Sequence, residues 1–253
     1  PMQSSSITEK VFPILTANEK GKFSFIGTGF FVNKRGGFMT AKHVLYDNKG
    51  NLLKRFYAIT THNGVRYFRY LKHTFPDERL DVVFGIVQKK ATRNDDDKEV
   101  EIIKNEAFEL LENKLSPGLE IKTFAYPNTI NTVKDLEFEK EGLIEGDWFH
   151  GKITKSMNYR DSATYPYPIY ETNMLIKSGA SGGPVFGNFG NDEFVIIGIN
   201  SGGFSFEDNP VSYVVPSKQV LEMTIKTQEG DRKFIDFSKS RTSITNSKYL
   251  EEE

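Results

Sequence analysis

The 253-residue chain contains no cysteine. It therefore has no disulfide, no thiolate nucleophile and no cysteine-based metal site, and a reducing compartment such as the cytoplasm suits it best. Positive and negative charges nearly cancel, with 33 Lys and Arg against 34 Asp and Glu. Nucleic acid and membranes are therefore not expected as main partners. No apolar run approaches the roughly 20 residues that span a bilayer. The opening residues also lack the basic start and apolar core of a secretory signal.

Short strand-like segments separated by turn residues fill most of the chain, which is typical of an all-β fold. The segments "FSFIGTGFFVN" and "GGFMTAKHV" predict one hairpin, and the segment around Asn63-Gly64 predicts another. "LDVVFGIVQ" predicts a buried strand, and the charged stretch from about residue 88 is expected to be a solvated connection. For residues 102–115, the spacing fits either a helix or pieces of strand.

The second half of the chain predicts further strands, among them "PVFGN", "EFVIIGINSGG" and "PVSYVVP". "PSKQVLEMTIKT" predicts a helix capped by Ser217, with Val220, Met223 and Ile225 on one face. We expect a lead-in over 1–21, two strand-rich units over 22–115 and 116–228, and a polar, loosely ordered tail over 229–253.

The segment "SGASGGPVFG", residues 178–187, places Ser181 among four glycines. Glycines of this density mark tight turns, so the segment alone fits a structural turn as well as a reactive serine. A serine hydroxyl becomes a nucleophile only when a base takes its proton, and histidine is the usual base.

Four histidines are present, and His43 differs from the others in its surroundings. It lies in "FMTAKHVLYD", where an apolar strand gives way to a short turn, although a buried core histidine also fits this pattern. His62, His73 and His150 lie in predicted hairpins or at a strand entry. Asp81 opens the apolar segment "LDVVFGIV", where burial of its carboxylate requires hydrogen-bond partners. The alternative for Asp81 is a solvated aspartate at the start of a strand.

The segments "TAKHV", "LDVV" and "SGASGGPV" resemble the three signature segments of the chymotrypsin-fold serine proteases, in that family's order of His, Asp and Ser. Residues Gly179 and Ser181 to Pro184 match the pattern G-x-S-G-G-P. "GTGFFVN" ahead of the histidine resembles the cysteine-free bacterial branch of HtrA-like and glutamyl-endopeptidase-like enzymes. The likeness covers roughly residues 22 to 227.

This resemblance implies two six-stranded antiparallel β-barrels of the trypsin-like fold, a short C-terminal helix and a serine endopeptidase without cofactor. It assigns Ser181 as nucleophile, His43 as base and Asp81 as the carboxylate that orients the base. The backbone N–H groups of Gly179 and Ser181 would form the oxyanion hole. Ser201 would contact Asp81 and pair with the backbone of a polypeptide substrate.

Two departures from the family concern activation and specificity. Ala180 stands where zymogen-activated trypsins carry an aspartate, so this activation route is closed. Either control comes from elsewhere, for example from a regulatory protein partner as the resemblance to bacterial stress and defence effectors implies, or the enzyme is constitutively competent. The segments that would contact substrate contain no aspartate, which predicts cleavage after an uncharged residue of small to medium size. Their residues are Leu175, Ile176, Asn200, Ser201, Gly202 and Ser212.

The leading alternative is a catalytically silent protease fold that serves as a binding or regulatory module. A non-peptidase esterase or a viral-type processing enzyme on the same fold is a further alternative. The acidic groups Asp95–Asp97 and Glu251–Glu253 lack interspersed histidine or a glycine-punctuated loop, so no metal site is implied.

Overall fold

A computed structural model describes most of the chain. The residues described are 7–19, 23–53, 55–93, 96–127, 144–158, 165–190, 194–204, 209–227, 230–238, 241–244 and 247–251. Asp95, Glu252 and Glu253 of the acidic groups lie outside these ranges. None of the helices in the described ranges is long and apolar enough to cross a membrane.

The described chain is built mainly from strands, as its alternating sequence pattern predicts. The first half contains β1 (Val11–Ala17), β2 (Phe23–Phe31), β3 (Gly37–Thr40), β4 (Phe56–His62), β5 (Val65–Pro76), β6 (Val83–Val87), β7 (Lys90–Arg93), β8 (Glu99–Glu101) and β9 (Leu110–Leu111). The second half contains β10 (Glu120–Ala125), β11 (Asp147–Met157), β12 (Ile169–Thr172), β13 (Pro184–Asn188), β14 (Phe194–Phe204), β15 (Val211–Pro216), β16 (Thr224–Thr227), β17 (Gly230–Lys233) and β18 (Arg241–Thr242). Short helices are α1 (Lys42–Leu45), α2 (Ser217–Glu222) and α3 (Phe234–Ser238).

The strands close into two six-stranded antiparallel barrels, which confirms the expected fold class. In the first barrel the order is β4-β1-β2-β3-β6-β5, and pairing of β4 with β5 closes the ring. In the second barrel the order is β13-β10-β11-β12-β15-β14, closed by pairing of β13 with β14. Both predicted hairpins form, β2 with β3 and β4 with β5. The β4–β5 turn places Asn63 and Gly64 at positive φ, as a tight hairpin of this type requires.

One apolar cluster joins the two barrels and thereby fixes how their facing surfaces meet. Phe108, from the connection between the barrels, contacts Phe30 of β2 on one side and Phe186 of β13 on the other, with ring centroids 6.4 and 5.2 Å apart. The Tyr126 hydroxyl donates to the carbonyl of Val11 across the same interface. The barrels are therefore packed together by buried aromatic rings.

The structure adds detail in three segments where the sequence predicted no strand or left the element open. The predicted lead-in contains β1, whose buried "VFPILTA" pairs with β2 and β4. The charged connection after residue 88 contains strands β7 and β8. Strand β7 buries Ala91 and pairs with β5, and β8 pairs with β7. Residues 102–109 adopt no regular element, and only Leu110–Leu111 form a short strand there.

The C-terminal segment is also more ordered than a polar composition suggested. The predicted helix ends at Glu222, and Ile225 belongs to β16 instead. Ser217 does not cap it through its side chain, because its hydroxyl donates to the carbonyl of Leu111. Beyond it, β16 pairs with β17, and Phe234 of α3 is fully buried in the cluster that joins the barrels.

Burial of Phe234 makes the C-terminal segment part of the folded unit. Phe234→Ala is expected to lower the free energy of unfolding by about 3–5 kcal/mol, because it opens a cavity in the shared core. The control is Asp236→Ala in the same helix, at an exposed position, where a change within about 0.5 kcal/mol is expected. Equal stabilities of the two variants in urea unfolding would show that the segment does not stabilise the barrels.

Candidate active site

His43 and Asp81 contact each other through two separate hydrogen bonds. His43 lies in α1, directly after β3, and Asp81 lies in the turn between β5 and β6. The Nδ1 atom of His43 is 2.8 Å from Oδ2 of Asp81, and the His43 backbone N–H donates to Oδ1 at 3.0 Å. The carboxylate therefore fixes both the imidazole plane and the backbone that carries it. No comparable carboxylate contact is present for His62, His73 or His150 within the described ranges.

The turn that carries Asp81 is shaped by Asp77. Oδ1 of Asp77 accepts hydrogen bonds from the backbone N–H groups of Arg79 and Leu80, each at 2.8 Å. The Asp77 N–H donates to the carbonyl of Val82, which closes the turn. Lys42, the neighbour of His43, donates from its ammonium group to the Asp77 carbonyl at 2.7 Å. Helix α1 is thus bonded to both ends of the turn, through Lys42 at one end and His43 at the other.

Ser201 and two tyrosines cover the remaining side of the Asp81 carboxylate. The Ser201 hydroxyl donates to Oδ2 of Asp81 at 2.5 Å, from strand β14 of the second barrel. Tyr165 and Tyr167 lie near this carboxylate, and their ring centroids are 5.7 Å apart. Burial raises the pKa of Tyr167, and the nearby negative charge of Asp81 raises it further. Both effects keep the phenol of Tyr167 neutral beside Asp81.

Ser181 lies in a turn of the second barrel that is docked against the first barrel. Its carbonyl accepts a hydrogen bond from the N–H of Thr28 at 2.9 Å. At the next residue, a Cβ added to Gly182 would lie 2.8 Å from the backbone nitrogen of Ala41, two residues before His43. The structure therefore brings the Ser181 turn to the start of the helix that carries His43. No hydrogen bond joins the two side chains within the described residues, and such contacts commonly tighten only when substrate binds.

The backbone of this turn leaves two N–H groups available to a ligand. Gly179 adopts φ +93°, a conformation that side chains disfavour. The N–H of Ala180 bonds to Lys177, and that of Gly182 bonds to Asn200. The N–H groups of Gly179 and Ser181 have no hydrogen-bond partner among the residues that the structure describes. They can therefore stabilise an oxygen that carries negative charge.

The residues predicted to contact substrate have different surroundings. Leu175 is exposed, Ile176 is half-buried, and Gly202 lies beside the Tyr165 hydroxyl. Asn200 is fully buried, and its amide nitrogen bonds to Thr123 and more weakly to the carbonyl of Ala180. This gives Asn200 a role in bracing the Ser181 turn, while its contact with substrate stays a prediction.

Ser212 is buried as well. Its hydroxyl is bonded to Thr172 at 2.6 Å, on the strand pair β12–β15. This bond occupies the hydroxyl within the protein, and substrate contact by Ser212 also stays a prediction.

Several residues that shape the site were missed by sequence reasoning. They are Thr28, Lys42, Asp77, Tyr165 and Tyr167. Thr28 and Lys42 lie inside quoted segments, but nothing in their spacing indicates a contact with distant backbone. For Asp77, the "DERL" sequence ahead of Asp81 is a recognisable signal for a side-chain-to-backbone turn.

The two-barrel arrangement is similar to those of solved proteases. Deg5 superposes with a TM-score of 0.58 at 19% identity, over 87% of this chain and 89% of Deg5. The HtrA-type protease AlgW, with a bound tripeptide, superposes with a TM-score of 0.58 at 17% identity, over 86% of this chain and 60% of AlgW. The thermostable serine protease AL20 superposes with a TM-score of 0.55 at 15% identity, over 83% of this chain and 92% of AL20.

The chain has the trypsin-like fold. At these identities the comparison establishes the architecture, and the chemistry has to be argued from the site. Scans of the sequence against family models and against curated protein sequences give no match.

Close packing of the Ser181 turn predicts that alanine variants at two glycines of similar φ differ strongly in stability. A Cβ at Gly182 (φ +83°) would lie 2.1 Å from Oγ1 of Thr40 and 2.3 Å from the carbonyl oxygen of Thr28, whereas a Cβ at Gly190 (φ +89°) meets nothing within 4 Å. Gly190→Ala is expected to lose about 1–2 kcal/mol of unfolding free energy from backbone strain alone.

Gly182→Ala adds a collision with backbone that cannot move without undocking the turn. We expect it to lose at least about 2 kcal/mol more than Gly190→Ala in urea unfolding. Similar losses in both variants would mean that the turn is not held against the first barrel.

Proposed function

We propose that the protein is a serine endopeptidase in which Ser181 is the nucleophile, His43 the general base and Asp81 the orienting carboxylate. The observation that carries this proposal is the pair of hydrogen bonds between His43 and Asp81, together with the Ser181 turn that lies at the start of the helix carrying His43. The turn offers a serine and two N–H groups that have no partner in the described part of the chain, and it lies near an oriented imidazole. These are the parts that acyl transfer needs.

In this mechanism Ser181 Oγ attacks a peptide carbonyl while Nε2 of His43 takes the hydroxyl proton. The carbonyl oxygen gains negative charge and accepts hydrogen bonds from the N–H groups of Gly179 and Ser181. Collapse of the tetrahedral intermediate breaks the C–N bond, and His43 gives the proton to the leaving amine. Water then repeats the sequence on the acyl-enzyme. Asp81 stabilises the imidazolium formed in each half-reaction.

A polypeptide substrate is supported by the position of β14 beside Asp81 and by the structural neighbours. The HtrA-type protease AlgW has structures with a tripeptide and with a decapeptide. In this chain Ser201 and Gly202 lie on β14 next to Asp81, where an extended peptide can pair with the strand.

The activated serine is tested by intact-mass spectrometry after incubation with diisopropyl fluorophosphate. We expect a single diisopropylphosphoryl adduct on the unmodified protein, because only a serine paired with a base displaces fluoride quickly. Ser181→Ala and His43→Ala should both remain unlabelled. Ser178→Ala, a serine of the same segment, is the matched control and should label normally.

Absence of labelling in the folded, unmodified protein would contradict the proposal and favour the silent binding module. An adduct that survives Ser181→Ala would place the nucleophile elsewhere.

We propose further that a regulatory protein partner controls this activity, in a bacterial stress or defence system and in the cytoplasm. Support comes from Ala180, which removes the zymogen-type ion pair as a means of control, and from the likeness to HtrA-type proteases. The isolated protein is then expected to cleave casein slowly even though Ser181 labels. Rapid, unrestrained casein hydrolysis by this protein alone would count against the regulatory partner and leave the endopeptidase proposal intact.

A further inference from the structure

Thr28 lies at the point where strand β2 of the first barrel meets the Ser181 turn of the second barrel. Its side chain is fully buried, and the mechanism proposed above assigns it no role. It is the second residue of "GTGFF", and both flanking glycines permit close approach. A Cβ at Gly27 would collide with Val44 at 2.7 Å, and one at Gly29 would collide with Phe12 at 2.8 Å.

Two donors of Thr28 bond to two carbonyls of the turn. Its backbone N–H donates to the carbonyl of Ser181 at 2.9 Å, and its hydroxyl donates to the carbonyl of Gly179 at 2.8 Å. The hydroxyl oxygen also accepts the N–H of Tyr126 at 3.2 Å. Because this contact occupies the acceptor side of the hydroxyl, its proton is left to bond with Gly179.

These contacts fix the peptide planes on both sides of the Ser181 N–H. In a trans peptide, the C=O and the following N–H point in opposite directions. The peptide unit between Gly179 and Ala180 is held at its carbonyl by Thr28, and its N–H donates to the carbonyl of Lys177. The unit between Ser181 and Gly182 is also held at its carbonyl by Thr28, and its N–H donates to the carbonyl of Asn200. Between them, the Ala180 carbonyl accepts the Gly183 N–H at 3.0 Å.

With the carbonyls of Gly179, Ala180 and Ser181 all bonded inward, the peptide units of the turn cannot rotate independently. The peptide unit of the Gly179 carbonyl lies between the unit that carries the Gly179 N–H and the unit that carries the Ser181 N–H. A displacement of this middle unit would therefore shift both neighbouring units through the Cα atoms that they share, and with them the two N–H groups. Both shifts would weaken an oxyanion hole, since its donors act only when they are already aimed at the developing charge.

We propose that Thr28 is a positioning residue for the oxyanion hole, through the hydrogen bond from its hydroxyl to the Gly179 carbonyl. The inference rests on the proposed endopeptidase function and assigns to the first barrel a part in shaping the oxyanion site of the second. Thr28 itself contacts no substrate.

The test compares Thr28→Val with Thr28→Ser in a peptide-hydrolysis assay and in the rate of diisopropyl fluorophosphate labelling. Valine keeps the shape of threonine and removes the hydroxyl, whereas serine keeps the hydroxyl. We expect Thr28→Val to lower kcat on the order of tenfold with KM little changed, because the lost alignment acts on the transition state. Thr28→Ser should retain kcat within about twofold, since its donor remains.

Thr60→Val is the control for loss of a buried hydroxyl in the same barrel. Thr60 lies on β4, and its buried hydroxyl has no hydrogen-bond partner within the described residues. Thr60→Val is therefore expected to keep kcat within about twofold. Thr28→Ala replaces Thr28→Val if the valine variant does not fold.

A kcat equal to that of the unmodified enzyme in a folded Thr28→Val or Thr28→Ala protein would overturn the inference. An equal fall of kcat in Thr60→Val would overturn it as well, because the effect would then be general to the barrel. If the unmodified protein neither labels nor hydrolyses peptides, the endopeptidase proposal fails first. If the unmodified protein is active and the Thr28 variants keep its kcat, only the positioning inference fails.

Discussion

The hydrogen bond from the Thr28 N–H to the Ser181 carbonyl joins the two barrels at the place where the proposed chemistry occurs. The nucleophile turn belongs to one barrel and the His43–Asp81 pair to the other, so their relative placement depends on the interface between them. Buried rings at that interface, among them Phe108 between Phe30 and Phe186, resist relative movement of the barrels. Rigidity of the interface is thus a condition for catalysis and also for stability.

The acid–base side of the site is held by hydrogen bonds of a different kind. A charged carboxylate that is mostly covered needs several donors, and Asp81 has the His43 N–H, the His43 ring and the Ser201 hydroxyl. The hydrogen bonds of the Asp77 turn hold the backbone that carries this carboxylate in place. Ser201 comes from the second barrel, so the orientation of the base also depends on the interface. The placement of Ser181 and the orientation of His43 therefore both depend on the interface between the barrels.

Much of this arrangement was predictable from the sequence because it is encoded locally. Alternating apolar residues predicted the strands, Asn63-Gly64 predicted a hairpin, and the resemblance of three short segments predicted the two barrels. The predicted helix after Pro216 was too long, because Ile225 fits a helical face as well as it fits strand β16, to which it belongs. A polar average over 229–253 concealed Phe234, a buried ring that anchors the segment.

Long-range contacts account for what the sequence did not predict. Thr28 and Gly179 are 151 residues apart, and no local pattern indicates that their hydroxyl and carbonyl meet. Asn200 was predicted to contact substrate because "INSGG" resembles a segment that lines the substrate cleft, and this stays a prediction. Its amide also bonds inward to Thr123, 77 residues away, a contact that no local pattern indicates.

A crystal structure of the protein inhibited by a peptidyl phosphonate would test the central claim most directly, namely that the docked turn presents two N–H groups to a negative oxygen beside His43. The account predicts a covalent bond from Ser181 Oγ to phosphorus, with one phosphonyl oxygen about 3 Å from the nitrogens of both Gly179 and Ser181. It also predicts that Thr28 keeps both of its hydrogen bonds to the turn. A phosphonyl oxygen turned away from these nitrogens, or an adduct on another residue, would contradict it.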